Sequence, residues 1–276
     1  MLSQEERKNL FDLLQSNDVT NIEVALQIGE GTQTHLYLDE FEKLWDFLTR
    51  VKCGQIPPWE LSLAEKIGEL MQIETLVLEL RESEVIPDGI CFLKNLQNLS
   101  ITAYDEVYLP KVTTYLENLT ELHLHLRNSN KLPAAIFELT QLETLDLSFS
   151  AILEISHNIF NLQNLQTLNL TYCLDLHTIP YEVYSLQRLH TLYIGFTSIQ
   201  EISPAIAYSN LFIFGYDTKT SVSLFRDTLF SLKLMRFNDE ENLLSNILSR
   251  TQFQNIPSEV TQGGLKSIKA FFKKGN

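Results

Sequence analysis

The stretch that decides the fold is LETLDLSFSAILEISHNIFNL, residues 142–162. It begins with the phrase Leu-x-x-Leu-x-Leu and continues through a polar segment to a second apolar group at Ile155. The phrase recurs along the chain, opening at Ile73, Leu96, Leu119, Leu142, Leu165, Leu189 and Leu211, with gaps of 23, 23, 23, 23, 24 and 22 residues. A regular period of this length predicts a stack of similar units, each packed only on its neighbours.

Each repeat predicts one short strand at its Leu-x-Leu pair. Side chains alternate along a strand, so both apolar residues of a pair point inward and the residue between them points outward. The inward pairs are Leu76/Leu78, Leu99/Ile101, Leu122/Leu124, Leu145/Leu147, Leu168/Leu170, Leu192/Ile194 and Phe214/Tyr216. Stacked about 4.8 Å apart, seven such strands span roughly 30 Å.

A proline or serine follows the second apolar group in most repeats. These residues are Pro87, Pro110, Pro133, Ser156, Pro180 and Ser203. Proline fixes φ and has no N–H to donate, so it suits a segment outside a strand ladder. We therefore expect this part of each repeat on the outer, convex side.

The segment Leu142-Glu-Thr-Leu145-Asp-Leu147, with Ile155 and Ile159-Phe-Asn-Leu162, resembles a leucine-rich repeat of the 23-residue kind. The resemblance covers a little over half the chain. It implies an α/β leucine-rich-repeat solenoid with a curved parallel sheet on its concave face. It says little about function, because repeats of this kind serve many unrelated binding roles.

That family usually places an asparagine five residues after the first leucine of the strand, where it hydrogen-bonds the adjoining turn. Here the corresponding residues are Arg81, Tyr104, Arg127, Ser150, Cys173 and Thr197. Serine, cysteine and threonine can form part of such a ladder, whereas arginine and tyrosine cannot do so in the same way. We therefore expect the first three repeats to be less regular at this point.

Three segments are predicted: an N-terminal helical cap over 1–62, a solenoid of about seven turns over 63–217, and a degenerate last repeat with a C-terminal helical cap over 218–276. In the first segment we expect helices after Ser3, from residue 17 to a stop at Gly29 and Gly31, and over 38–51. Residues 255–272 resemble the closing cap of bacterial leucine-rich-repeat proteins, including those of the Roco GTPase family. The resemblance thus implies a bacterial origin.

Charge and cysteine content restrict the partners. The net charge is −14, and residues 1–85 hold 17 Asp+Glu against 7 Lys+Arg. This acidity argues against nucleic acid and anionic membrane as partners. Three distant cysteines do not form a disulfide framework, and we find neither a secretory signal pattern nor an apolar run of 18 residues. We expect a cytoplasmic protein.

Sequence motifs of catalysis are missing. Lys266-Ser267 follows Leu265 rather than glycine, so no phosphate-binding loop is present, and no Cys-x-x-Cys or His-Glu-x-x-His pattern occurs. We expect a non-enzymatic protein with no cofactor and no metal.

The outward residues of the strands give the candidate binding site. Its members on the concave side are Glu121, His123, His125, Asp146, Asn169 and Tyr193, with Tyr104 nearby. His123 and Asp146 are expected to be lateral neighbours about 5 Å apart. A histidine beside a carboxylate can have a raised pKa and bind charge or metal. Three interpretations of His123 and His125 remain. They are solvated residues on a polar face, members of a partner-binding patch, or groups with a metal-binding or catalytic role.

Aromatic residues near the strand ends form a second group: Tyr104, Tyr108, Phe149, Tyr172, Phe196 and Tyr216. Exposed aromatics often anchor protein interfaces, but this position can also pack into the turn. The pattern favours packing for Phe149 and Phe196, and an interface for Tyr104 and Tyr193.

Three functions follow as hypotheses. The leading one is a protein–protein interaction module that binds a protein partner on the concave face. The alternative is a regulatory subunit or effector that modulates an enzyme through the acidic N-terminal helices. The third is a purely structural array without a partner.

Overall fold

A computed structural model describes residues 2–32, 37–51, 60–81, 84–200, 203, 209–211 and 213–215. Four α-helices come first: α1 (Gln4–Leu14), α2 (Val19–Thr32), α3 (Leu38–Arg50) and α4 (Leu63–Met71). Seven strands follow: β1 (Thr75–Leu80), β2 (Asn98–Ala103), β3 (Glu121–Leu126), β4 (Thr144–Asp146), β5 (Thr167–Asn169), β6 (Thr191–Tyr193) and β7 (Ile213–Gly215). The predicted C-terminal cap and the side chains of Phe214 and Tyr216 lie outside the described residues.

The strands form one parallel sheet in chain order, β1 to β7. Leu76 pairs with Leu99, Leu99 with Leu122 and Leu122 with Leu145, so equivalent positions of successive repeats lie side by side. This register confirms the predicted parallel sheet.

The predicted inward residues of β1 to β6 form the core. Leu76, Leu122, Leu145, Leu168 and Leu192 are all 0 % exposed, and the second residue of each pair is at most 1 % exposed. Burying a leucine side chain stabilises the fold by about 1.5–3 kcal/mol. Packing of these buried side chains against those of the neighbouring turns therefore holds successive turns together.

The outer side of the repeats consists of short 3₁₀ helices: Asp88–Phe92, Lys111–Tyr115, Ala134–Glu138, His157–Asn161 and Tyr181–Ser185. The residue before each is Pro87, Pro110, Pro133, Ser156 or Pro180. Its carbonyl accepts the first hydrogen bond, as from Ile90 N to Pro87 O at 3.1 Å. Proline thus precedes four of these five outer helices, where its missing N–H costs nothing, and Ser156 precedes the other.

Two of the four α-helices begin with a capping box. Ser3 with Glu6, and Ser62 with Glu65, form reciprocal capping boxes at α1 and α4.

The predicted stop at Gly29 and Gly31 is wrong, because α2 continues to Thr32. Gly29 is buried, so tertiary packing outweighs the roughly 1 kcal/mol that glycine costs within a helix.

The strands come in two lengths, and the residue at the asparagine-equivalent position differs between the long and the short strands. In β1 to β3 pairing extends through Leu80, Ala103 and Leu126, and the arginines and tyrosine that follow are exposed. In the next repeats the chain turns earlier. Ser150 Oγ then donates to Leu124 O at 3.0 Å and accepts from Leu126 N at 2.9 Å.

Cys173 and Thr197 occupy the position of Ser150 in the next two repeats, but their side chains form different hydrogen bonds. Cys173 Sγ donates to Leu147 O at 3.1 Å, which bridges two repeats. Thr197 Oγ1 instead donates to Ile194 O of its own repeat. The predicted ladder is therefore formed by serine and cysteine, and threonine does not extend it.

A second ladder was missed by the sequence reasoning. Four asparagine side chains donate to a carbonyl of the preceding repeat: Asn95 to Met71, Asn118 to Lys94, Asn164 to Thr140 and Asn210 to Gln187, at 2.7–2.8 Å. Its signal was the asparagine that recurs directly before the opening leucine.

Helix α3 packs on the outer side of the first repeats. The absence of a side chain at Gly89 allows the backbone of α3 to come close to this residue. A Cβ at Gly89 would lie 2.4 Å from Glu40 O and 3.2 Å from Leu44 Cβ. The rings of Phe41 and Phe92 stack beside it with centroids 4.4 Å apart. No side chain larger than glycine's hydrogen fits at this contact.

Gly89→Ala is expected to destabilise the protein by about 1–3 kcal/mol, because backbone must move to admit the methyl group. Denaturant unfolding, with helix content as the signal, measures the change. Gly31→Ala is the matched control: nothing lies within 4 Å of its added Cβ, so we expect no loss and up to about 1 kcal/mol gain in α2. Equal effects of the two substitutions would contradict this packing.

Candidate partner-binding site on the concave face

Strand β3 presents three polar side chains on the concave face: Glu121, His123 and His125. They alternate with the buried Leu122, Leu124 and Leu126. His123 pairs in register with Asp146 of β4, and Asp146 pairs with Asn169 of β5. The predicted lateral neighbours are thus adjacent.

Asp146 is the centre of the cluster. Its Oδ1 accepts from Ser148 N at 2.8 Å, and its Oδ2 accepts from Asn169 Nδ2 at 3.0 Å. His123 Nδ1 lies 3.6 Å from Oδ2, and His125 Nε2 lies 3.9 Å from Oδ1. One carboxylate therefore faces two histidines from the same strand.

His123 also approaches a second carboxylate. Its Nε2 is 3.7 Å from Glu121 Oε2, and the same oxygen accepts from Asn98 Nδ2 at 2.7 Å. The His123 ring is thus placed between Glu121 and Asp146, and hydrogen bonds from Asn98 and Asn169 orient the two acids.

The cluster shifts the pKa of its members in different directions. The carboxylate of Asp146 raises the pKa of His123 above its usual range, against the opposing effect of burial. Burial lowers the pKa of His125, whose Nε2 is enclosed and has no hydrogen-bond partner among the described residues. Burial alone would raise the pKa of Asp146, but His123, Ser148 and Asn169 together hold it well below its usual range.

These shifts link stability to pH in opposite senses. Protonated His123 contributes stability that is complete below its usual pKa of 6.5 and is lost as pH rises through its raised pKa. Neutral His125 contributes stability above pH 6.5 that is lost as pH falls through its lowered pKa. Asp146 contributes above its usual pKa of 3.8 and loses this as pH falls through its lowered pKa. The contributions of His123 and His125 to the pH dependence of stability partly cancel. The pKa of each histidine must therefore be measured individually.

The other predicted site residues lie at increasing distance from this cluster. Tyr193 of β6 pairs with Asn169 and is 37 % exposed. Tyr104 lies one residue past the end of β2, at the rim of the sheet, and is 43 % exposed. The structure therefore brings together Glu121, His123, His125, Asp146 and Asn169, with Tyr193 beside them, and leaves Tyr104 at the rim.

Phe149, Tyr172 and Phe196 form a stack that sequence reasoning did not predict. Successive rings are nearly parallel, with centroids 4.8 Å and 4.3 Å apart. The packing predicted for Phe149 is only partly right, because the ring is stacked but 46 % exposed. The regular spacing of aromatic residues two positions after the second inward residue was the available signal.

Among the described residues, no group of three or more histidine, cysteine or acidic side chains is arranged to hold a metal ion. No helix in the described ranges has the length and apolar composition needed to cross a membrane.

No protein-family profile and no curated protein matches this chain. Among solved structures, a leucine-rich-repeat protein of Leptospira interrogans superposes with a TM-score of 0.51 at 20 % identity. The match covers 73 % of this chain and 61 % of that protein, so the chain spans less than two thirds of its length. A plant ice-binding protein matches with a TM-score of 0.51 at 19 % identity, covering 71 % of this chain and 68 % of that one.

These similarities concern the fold. Together with the seven-stranded parallel sheet, the leucine core and the helices at the N-terminal end, they define the protein as an α/β leucine-rich-repeat solenoid.

The cluster predicts how the pKa of His123 responds to its neighbours. Asp146→Asn is expected to lower this pKa towards the usual value, because the largest favourable contact of the imidazolium is removed. Nuclear magnetic resonance of the imidazole protons across pH 4–9 measures it.

Asn169→Ala is the matched control, because it removes the hydrogen bond to Asp146 but leaves the carboxylate in place. The pKa of His123 should stay above its usual value in this variant. A His123 pKa that does not respond to Asp146→Asn would show that the two side chains do not interact.

Proposed function

We propose that this protein is a non-enzymatic interaction module that binds a protein partner through the concave face of its sheet. The binding patch consists of Glu121, His123, His125, Asp146, Asn169 and Tyr193. The observation that carries the proposal is the Asp146 cluster itself. Asp146 and Asn169 also serve the turns that end their own strands, but at Glu121 and His123 the solenoid requires only an outward orientation. These two residues nevertheless join Asn98 and Asp146 in an ordered set of hydrogen bonds and ion pairs.

Prior ordering of polar groups favours binding. Side chains that are already fixed lose less conformational entropy when a partner arrives. Asp146 is held by Ser148 and Asn169, and Glu121 by Asn98. Glu121 and His123 still expose 49 % and 29 % of their side chains, so they can exchange hydrogen bonds with a partner.

Tyr193 supplies the apolar part of the patch. Its ring is 37 % exposed and next to Asn169 in the sheet. Tyrosine is enriched among the residues that dominate binding energy, because it offers a large apolar surface and a hydroxyl group. A polar, charged cluster beside one aromatic ring suits a protein surface.

The test is affinity capture from the native cytosol, comparing the intact protein with His123→Ala/Tyr193→Ala. Captured proteins are identified by mass spectrometry, and the strongest is purified for titration by calorimetry. We expect the double variant to bind at least tenfold more weakly, a change of about 1.4 kcal/mol or more. Its thermal midpoint should stay near that of the intact protein, because both residues are partly exposed.

His157→Ala/Tyr115→Ala is the matched control on the convex side. His157 and Tyr115 belong to outer 3₁₀ helices, and Tyr115 is 69 % exposed. This variant should bind the partner as the intact protein does.

Equal capture by the intact protein and the concave-face variant would disprove the proposed site. The acidic N-terminal helices would then be tested with Glu42→Gln/Asp46→Asn, two exposed positions on α3. Loss of the partner in that variant would favour the regulatory alternative. Capture of no partner by any variant would favour a purely structural array.

A further inference from the structure

Three aromatic residues at the rim of the sheet have unusual backbone conformations. Phe149, Tyr172 and Phe196 have φ angles of 58°, 63° and 55°. Bulky side chains rarely adopt this left-handed region. Phe149 N donates to Thr171 O at 2.9 Å and Tyr172 N donates to Gly195 O at 2.8 Å. The fold thus maintains a strained conformation in three successive repeats, which is typical of functional positions.

These rings are not core residues. Phe149 is 46 % exposed and Tyr172 is 39 % exposed, although glycine or asparagine would satisfy the backbone at lower cost. Leu153 and Leu174, a few residues further along the same turns, are 48 % and 61 % exposed. The stacked rings thus form an exposed apolar surface, and such surfaces often mark interaction sites.

The stacking decides which part of each ring a partner meets. Phe149 and Tyr172 are nearly parallel, with an interplanar angle of 8°, as are Tyr172 and Phe196. The Arg127 guanidinium lies 5.7 Å from the Phe149 centroid, on the side of the preceding repeat. Tyr172 therefore lies between two rings, whereas Phe149 has Tyr172 on one face and the Arg127 guanidinium over its ring, so a partner meets mainly ring edges.

Ring edges and ring faces attract different ligands. The face of an aromatic ring carries negative charge density and the edge carries positive charge density. Because the faces of Phe149 and Tyr172 are occupied, they do not accept a cation or a sugar ring. Their edges, together with the guanidinium of Arg127, attract carboxylate and carbonyl oxygens instead.

The length of the stack fits a short peptide. The two centroid separations of 4.8 Å and 4.3 Å together cover about 9 Å, or roughly three residues of extended chain. We propose that Arg127, Phe149, Tyr172 and Phe196 form a rim stack that docks an extended acidic peptide segment of a protein partner. A carboxylate of the segment pairs with Arg127, and its carbonyl oxygens and apolar side chains lie along the ring edges.

This rim stack is a surface additional to the concave patch, and its evidence is independent of the Asp146 cluster. The two are adjacent, because the His125 ring lies 6.4 Å from that of Phe149 at an angle of 66°. The whole chain has a net charge of −14 and would repel an acidic segment. Recognition of the segment must therefore come from local contacts with Arg127 and the ring edges.

A phage-displayed library of random twelve-residue peptides tests the proposal. The library is selected on the intact protein and counter-selected on Tyr172→Asn. Asparagine tolerates the left-handed conformation, so this variant removes the ring without disturbing the turn, and its thermal midpoint should not fall. We expect the selected peptides to be enriched in Asp and Glu next to apolar residues.

The most enriched peptide is then synthesised with a fluorophore and titrated by anisotropy. Tyr172→Asn and Arg127→Gln should each weaken binding at least tenfold. Tyr115→Asn, on the convex side, is the matched control and should bind as the intact protein does.

Three results would overturn the proposal: no enrichment, enrichment of basic peptides, or equal binding to Tyr172→Asn. Peptides that lose affinity only with His123→Ala/Tyr193→Ala would also overturn it, while supporting the concave patch. Failure of that patch in the capture experiment, with peptide binding intact, would leave the rim stack standing.

Discussion

Burial of two inward apolar side chains per turn, against the turns on either side, is the interaction on which the rest of this structure depends. Leu145 and Leu147 are 0 % exposed, although their own turn supplies only a three-residue strand. Each turn completes the core of the next, so an open end would expose leucines to water. At the N-terminal end the helices meet this need: α2 packs against α4, the helix that precedes β1, and Ile22 and Ile67 of these two helices are 0 % exposed.

This constraint fixes only the inward side chains, so the outward positions can hold residues of any kind. Their contacts depend on where each strand ends. β3 is the last long strand and β4 the first short one. Where β4 ends, Ser148 N is bound by the side chain of Asp146. Asn169 Oδ1 binds Thr171 N in the same way at the end of β5. Such local turns are a typical role of Asp and Asn.

The polar cluster follows from that local requirement. A carboxylate already fixed by the backbone of its own turn has little freedom left, so it holds a constant position beside His123 and His125. The same shortening of the strands places Phe149 and Tyr172 in left-handed conformations at the rim. The candidate site and the rim stack thus share one structural cause, the earlier turn of repeats four to six.

Much of this architecture could be predicted from the sequence. A period near 23 and the alternation of Leu76 with Val77 and Leu78 determine the strands, their neighbours and the core, since both patterns are geometric. The same geometry predicts that His123 lies beside Asp146. The continuation of α2 through Gly29 could not be predicted, because tertiary packing of this buried residue outweighed a local preference.

The finer features of the site depend on angles and distances that residue spacing does not encode. That His125 also faces Asp146 depends on how far β3 extends beyond β4. That Phe149 stacks on Tyr172 depends on the left-handed φ of both residues. Aromatic residues at equivalent positions of neighbouring repeats indicate proximity, but burial and stacking are equally compatible with that spacing.

His125 connects the two surfaces physically. Its ring meets the edge of the aromatic stack at Phe149, and its enclosed Nε2 lies 3.9 Å from Asp146 Oδ1. A partner that covers both surfaces would bury His125 further, which favours its neutral form still more. It would then meet carboxylates on the concave side and ring edges with Arg127 at the rim. Under the proposed binding mode, opposite electrostatic preferences on the two sides of His125 would fix the orientation of the partner, because a reversed partner would place like charges together.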